Sequence, residues 1–298
     1  MKKTKFITLL FSLVFTLPTL ASPLIVAHRA GTADYPENTR YAIDMALKNE
    51  ADIIWLSIQF SKDGIPVLYR PSDLQSLTNA SEPGPVSAYT WEELRLLDAA
   101  YYFNTDGQYT YRGRGVKIPS LLQIITSYPK VNFILDIKSP DTDPLTMANT
   151  LDRLISETNS FDRVRFYSTE KRYLDALPDY INKFEPRNLT RKILANSVMA
   201  NNCKVAKKRG AKLINSSDKY HAFELRRDVK VVEKLTLSRG VSRAQLVWNQ
   251  QAMACFKKNN DTKILLIGVN SYEDYQLAEN LGADYIMVDS PATARYWR

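Results

Sequence analysis

No glycine-rich loop follows the first apolar strand of this chain. The missing dinucleotide fingerprint and phosphate loop argue against an open, doubly wound nucleotide-binding sheet. The sequence also lacks a long Lys/Arg run and any nucleic-acid motif, so its formal charge of +8 implies no nucleic-acid partner. The apolar run from Phe6 to Leu17 falls short of the roughly 20 residues that span a bilayer. No cysteine closely follows that run, which argues against a bacterial lipid anchor. Cysteine is limited to Cys203 and Cys255, and histidine to His28 and His221.

What is there begins with a targeting segment. Lys2, Lys3 and Lys5 precede the apolar run, and Thr19-Leu20-Ala21 offers small residues for cleavage. This is the layout of a secretory signal over residues 1–21; an uncleaved anchor is the alternative. Cleavage removes three lysines from the formal charge of +8 and leaves +5, with no transmembrane segment in the mature chain. The product would be secreted or periplasmic, where a Cys203–Cys255 bridge would contribute about 4 kcal/mol; two separate buried thiols are favoured slightly. The basic stretch 204–212 reads as a solvated helix face, with anionic lipid as the weaker alternative.

Residues 22–298 suit one domain. Short apolar segments alternate with amphipathic ones, and strands are expected at 24–28, 53–60, 131–137, 164–168, 191–196, 246–249 (or 213–215), 264–270 and 285–289. Helices are expected at 38–48, 145–157, 251–258 and 272–281. Such alternation predicts a parallel sheet, and this number of units a closed (β/α)8 TIM barrel. An insertion after the second strand, about 71–119, breaks the rhythm and would sit over the carboxyl face. Its Tyr101-Tyr102-Phe103, Tyr109 and Tyr111 either pack a loop subdomain or wall a pocket.

The first strand delivers His28 and Arg29 to a loop, and Pro36-Glu37-Asn38-Thr39 opens a helix. Imidazole moves protons near neutral pH, and guanidinium grips phosphate oxygens in a fork. That pairing suits chemistry on a phosphate ester. His221, in a polar stretch, reads as a surface-loop histidine, with a site-facing position as the alternative.

His28-Arg29-Ala30-Gly31, Pro36-Glu37-Asn38-Thr39, Ser61-Lys62-Asp63-Gly64, Thr90-Trp91-Glu92-Glu93-Leu94, Ile118-Pro119-Ser120-Leu121 and Asp136-Ile137-Lys138 together resemble the glycerophosphodiester phosphodiesterase family. Gly268-Val269-Asn270 and Asp289-Ser290-Pro291 extend the likeness more loosely. The resemblance implies a (β/α)8 barrel hydrolysing glycerophospho-alcohols with a divalent cation, usually Ca²⁺ or Mg²⁺, and two histidines as acid and base. It maps the first histidine onto His28, phosphate and substrate binding onto Arg29 and Lys138, and a further motif position onto Glu37.

Other positions depart from the family. Its Glu-x-Asp on the second strand is here Trp55-Leu56-Ser57, its His-Asp pair is Arg70-Pro71, and its later glutamate is Asp136. Divalent ions need hard anionic oxygens at roughly 2.0–2.6 Å, so the metal site is expected to be lost and Asp136 to pair with a cation. Arg70 stays protonated and replaces no general acid, yet it would supply fixed charge in a catalytic role beside His28, converging with Arg29 and Lys138. Three functions follow: a pseudoenzyme or binding module for a small phosphodiester, phosphomonoester or lipid headgroup; an active diesterase with His28 as base and Arg70 in place of metal charge; or an interaction scaffold.

Overall fold

The computed structural model describes residues 22–191, 220–234, 239–257 and 261–298. Strand β1 (Leu24–Ala27) lies parallel to β2 (Ile53–Phe60) on one side and to β10 (Tyr285–Val288) on the other. From β2 the sheet continues to β4 (Asn132–Ile137) and β5 (Val164–Tyr167); from β10 it continues to β9 (Lys263–Ile267) and β6 (Tyr220–Glu224). The two ends meet through a short extended segment. Phe166 bridges Lys183, and Phe184 bridges Tyr220, both in parallel sense. The Phe184 N–H donates to the Phe166 carbonyl at 2.8 Å and the Glu185 N–H to the Tyr220 carbonyl at 2.9 Å. The ring is therefore that of a (β/α)8 barrel.

Side-chain alternation separates the two layers. Val26, Ile53, Trp55, Ile134, Tyr167, Phe184, Ala222, Leu265 and Met287 pack together inside the ring. Their strand neighbours Ile25, Ile54, Leu56, Phe133, Leu135, Phe166, Phe223 and Leu266 face the helices, each burial contributing about 1.5–3 kcal/mol. The helices start where capping chemistry permits. Thr39 accepts from the Ala42 N–H at the head of α1 (Arg40–Lys48). Capping boxes open α2 (Trp91–Leu94) and α3 (Leu121–Ser127), and Asp143 followed by proline opens α4 (Pro144–Glu157).

Two expected strands need correction. Arg191 belongs to a helical turn, not to a strand at 191–196, and 192–196 lies outside the described residues, as does 213–215. The ring position expected there is the segment around Lys183 and Phe184, too short and mixed in polarity to stand out as a strand. Residues 246 and 247 end β8 (Arg239–Val247), which pairs antiparallel with β7 (Arg226–Lys234) in a separate two-stranded sheet. The ring position is taken by β6, whose Tyr-His-Ala-Phe-Glu offers few plain hydrophobes to a pattern search. His221 is consequently no surface-loop residue: it is 1% exposed on β6, beside the Thr190 hydroxyl at 3.1 Å. It alternates with inward-facing Ala222, so it lies toward the helix layer and away from the barrel interior.

The insertion follows β3 (Pro66–Leu68), which folds back antiparallel on β2. It has its own small core of Val67, Tyr69, Leu74, Val86, Leu94 and Ile118. The Lys62 N–H donates to the Tyr89 carbonyl at 2.8 Å and the Trp91 N–H to Asp63 at 2.9 Å. Those bonds pin the insertion at the carboxyl end of β2. Its aromatic residues pack on one another: Arg112 lies over the Tyr101 and Tyr109 rings at 4.3 and 3.7 Å, and Tyr111 meets Tyr35, Tyr41 and Phe103. Among the described residues no helix is long and apolar enough to cross a membrane. Residues 1–21, Cys203 and the stretch 204–212 lie outside the described residues.

Candidate functional site

The barrel mouth is built from strand ends and the loops that follow them. At the end of β1 the backbone turns through a left-handed stretch, with φ of +48° at Arg29, +66° at Ala30 and +99° at Gly31. Left-handed conformations cost about 1–3 kcal/mol each at non-glycine residues, so the surroundings must hold them. The Gly31 and Thr32 N–H groups donate to the His28 carbonyl, and the Asn38 N–H donates to the Arg29 carbonyl at 2.9 Å. Asn38, itself at φ +58°, turns its side-chain oxygen to the Ser57 N–H at 2.9 Å. The Pro-Glu-Asn-Thr segment thus fastens the first loop to β2.

His28 is held on both sides. Arg29 Nε donates to His28 Nε2 at 3.1 Å, which makes Nε2 an acceptor and puts the ring proton on Nδ1. Nδ1–H then donates to Asp289 Oδ1 at 2.6 Å. The hydrogen bond from His28 holds the Asp289 carboxyl below its ordinary value. Asn270 donates to the other Asp289 oxygen at 2.7 Å and accepts from the Asp289 N–H at 2.9 Å. Asp289 and Asn270 also line a cavity of about 250 Å³. This Asn–Asp–His chain is the arrangement that orients a general base. Arg29 Nη1 meanwhile pairs with Glu37 at 2.5 Å, and Thr32 donates to the same carboxylate oxygen at 2.8 Å.

Across the mouth, Asp136 Oδ2 pairs with Lys138 Nζ at 3.2 Å. Burial pushes the Asp136 carboxyl up to about 6, although Lys138, His28 and Arg187 all pull it down. Arg187 and Arg191, on the turn after the 182–185 segment, both ion-pair with Glu224 at the end of β6. Burial raises the Glu224 carboxyl, but the Arg191 and Arg187 partners outweigh it and leave it lowered. Arg70 is exposed and has no hydrogen bond or ion pair among the described residues. The structure thus places His28, Arg29 and Glu37 in one connected group and Lys138 with Asp136 in a second.

The divalent cation implied by the resemblance does not fit these residues. Trp55 is 2% exposed and its indole packs on the Tyr167 ring at 4.8 Å, occupying the barrel interior with carbon. Ser57 offers one neutral hydroxyl. One Asp136 oxygen is committed to an ammonium group. Among the described residues no group of three or more His, Cys, Asp or Glu side chains converges.

Asp289, Asn270, Glu224, Arg187 and Tyr167 were not among the expected site residues. Asp289 had a usable signal, since the last strand of a closed barrel neighbours the first and its carboxyl end must face that of β1. Glu224 and Arg187 had none, because their strand and segment escape the apolar pattern.

The model of the Glycerophosphoryl diester phosphodiesterase family matches residues 28–293. The chain is 37% identical over 282 residues to the uncharacterized protein Rv2277c of Mycobacterium tuberculosis, covering 93% of this chain and 90% of that protein. The crystal structure of the glycerophosphoryl diester phosphodiesterase domain of that protein matches with a TM-score of 0.82 at 35% identity, covering 93% of this chain and 99% of that one. The Bacillus subtilis glycerophosphodiester phosphodiesterase is 33% identical over 126 residues, 41% of this chain and 42% of that enzyme. An Oleispira antarctica phosphodiesterase, solved with the product sn-glycerol-3-phosphate, shares the fold with a TM-score of 0.66 at 18% identity.

Proposed function

Because the chain belongs to the glycerophosphoryl diester phosphodiesterase family, we propose that its barrel mouth recognises the phosphodiester head of a glycerophospho-alcohol without a divalent cation, as a binding site in which metal-dependent hydrolysis is lost. The observation that carries this reading is the Asp136–Lys138 pair. A position that would hold a metal in the family is occupied by a carboxylate already neutralised from within the chain. Lys138, Arg29 and Arg187 bring N–H donors to the mouth, each beside a carboxylate it pairs with, and charge-assisted hydrogen bonds from such groups are the natural grip on phosphate oxygens. The B. subtilis and Oleispira proteins, by their names, act on this substrate class. The same reading takes the protein to be secreted or periplasmic after removal of residues 1–21.

The test is thermal unfolding of the mature chain with glycerol phosphate or sulfate at millimolar concentration. A native-state ligand raises the melting temperature, and the shift is expected in chelator as in added Ca²⁺ or Mg²⁺. If neither anion stabilises the protein, the reading fails.

A second reading is favoured by the His28–Asp289–Asn270 chain, since a simple binder gains little from an oriented imidazole. In it, Arg29 Nε gives up its hydrogen bond to His28 Nε2, a hydroxyl of the substrate's own glycerol gives its proton to that freed nitrogen, and its oxygen attacks phosphorus. The P–O bond to the alcohol breaks, the leaving alkoxide takes a proton from solvent, and a cyclic phosphate remains. With solvent as the acid, esters with good leaving groups react best. Cleavage of a glyceryl nitrophenyl phosphodiester, which carries its own attacking hydroxyl, that survives chelation and disappears in His28→Ala would favour this reading; no cleavage in the wild type would sink it. Loss of a general base lowers rates by about 10²–10⁴.

A further inference from the structure

Between β6 and Trp248 the chain leaves the barrel as a two-stranded ribbon, β7 against β8. Its foot is fixed. Arg226 pairs with Asp274, on the helix Tyr272–Asn280, at 2.8 Å. Trp248 packs on Phe223 at 5.3 Å and donates its indole N–H to the Glu224 carbonyl. Glu224 ends β6 at the barrel mouth, so the ribbon starts from the rim of the mouth. Nine residues in each strand give it a reach of roughly 27 Å. Among the described residues it joins no other strand, and every residue from Val241 to Gln245 is exposed. A lone two-stranded ribbon is marginal in water unless something packs on it.

One face carries a distinctive order. Residues paired across the ribbon share a face, and the faces alternate along each strand. Lys230 stands opposite Arg243, and Val232, on the same face, opposite Val241; the next position of that register pairs Lys234 with Arg239. Like charges directly opposite destabilise a β pair, yet the register sets them on both sides of the valines. Val232 and Val241 are 53% and 65% exposed. The side chains of Lys230 and Arg243 are exposed and form no ion pair or hydrogen bond among the described residues. Asp228, nearer the foot, accepts from Gln245 at 3.3 Å. The stretch 226–247 holds six basic residues and two acidic ones. One kind of surface relieves both the repulsion and the bared valines: anions at the level of the cations, with hydrocarbon just beneath.

We propose that this face of the β7–β8 ribbon docks on an anionic phospholipid surface, with Val232 and Val241 entering the headgroup layer and Lys230 and Arg243 meeting lipid phosphates. Binding of this kind adds buried apolar area to attraction between basic side chains and anionic headgroups. The long stems of Lys230 and Arg243 let their charges stay at the phosphates while the valines go deeper. The fixed foot then holds the mouth within the ribbon's length of the lipid layer. The proposal goes beyond the phosphate reading of the mouth and does not depend on it.

The experiment is co-sedimentation of the mature chain with vesicles of phosphatidylglycerol and phosphatidylcholine in equal parts, and with vesicles of phosphatidylcholine alone. Binding is expected to the mixed vesicles, with little to phosphatidylcholine, and should weaken as salt rises. Each cation at such a surface is worth about fivefold in partition, so Lys230→Ala with Arg243→Ala should bind about 25-fold more weakly. Lys230→Glu changes the charge equally and places an opposite charge across from Arg243, which favours the folded ribbon; it should lose binding as far. Val232→Ser with Val241→Ser keeps every charge and should bind about tenfold more weakly. Lys48→Ala with Lys130→Ala removes two exposed charges ahead of β2 and β4, at the opposite end of the barrel, and should bind as the wild type does. Glycerol phosphate binding at the mouth should be the same in all of them. A wild type that does not bind the mixed vesicles overturns the proposal. So does binding that survives the ribbon substitutions, or that falls as far in the Lys48 and Lys130 control. A dimer in sedimentation velocity that the valine substitutions break would make this face a self-association surface and overturn it as well.

Discussion

Burial holds the Asp136 carboxyl at about 6, against 3.8 for a free side chain. Between those values the folded chain keeps a proton that the unfolded chain has released, so stability falls as pH rises through this window and stays reduced above it. The shift corresponds to about 3 kcal/mol. Asp136→Asn removes the titration: measured by urea unfolding, the stability difference between variant and wild type should move in the variant's favour from pH 4 to 7. A difference independent of pH would contradict the assigned burial. Asp289 has the opposite sign. Its carboxyl is lowered by the bond from His28, so the stability it contributes is present above the ordinary carboxylate range and is lost as pH falls below it. The same bond fixes the His28 tautomer. Nitrogen NMR of the wild type at alkaline pH should show the proton on Nδ1, and Asp289→Asn, whose amide donates as well as accepts, should mix the two tautomers. At this scale the sequence exposed His28, Arg29, Glu37 and Lys138, because short contiguous motifs carry them. It hid Asp289's role, because only the closed barrel brings residue 289 to residue 28.

The loop after β1 and strand β2 act as one unit through Asn38. Its φ of +58° suits asparagine better than most residues, and its side chain satisfies the buried Ser57 N–H. Asn38→Ala loses both and should cost about 2–3 kcal/mol by urea unfolding. Asn38→Gly keeps the backbone conformation and loses only the hydrogen bond, so it should cost less. Equal costs would show that the left-handed turn stores no strain. Strands β1, β2, β4, β5, β9 and β10 were legible as apolar runs, and α1, α4 and the helix Tyr272–Asn280 as amphipathic segments with capping residues. The segment around Phe184 and strand β6 were not. The first is held by two bridges rather than a full ladder, and the second carries Tyr220, His221 and Glu224 where a buried strand ordinarily carries aliphatics.

For the whole molecule, the barrel separates two tasks. Its interior is packed around Trp55, with the Arg165 guanidinium buried at that level over the Tyr220 ring, and the polar groups of the mouth begin at the level of Ser57, Asp136 and His28. The insertion, pinned to the end of β2 by Asp63 and Lys62, carries its own core and frames one side of the mouth. The overall architecture was readable from strand–helix alternation and the ordered motifs; the cationic contribution of Arg187 was not, because its position depends on how the ring closes. The proposed secretory signal belongs to this scale as well: N-terminal sequencing of the protein recovered from the periplasm or medium should begin near Ser22, and recovery of the intact Met1 terminus in membranes would contradict it. The central claim is that the mouth binds a phosphate head with the chain's own cations in place of a metal. Titration calorimetry of glycerol phosphate into the mature protein, in chelator and then in Ca²⁺ or Mg²⁺, tests it most directly. The account predicts the same affinity in both conditions and no stoichiometric divalent site. Binding that appears only with the divalent ion, and is abolished with it in Asp136→Ala, would contradict it.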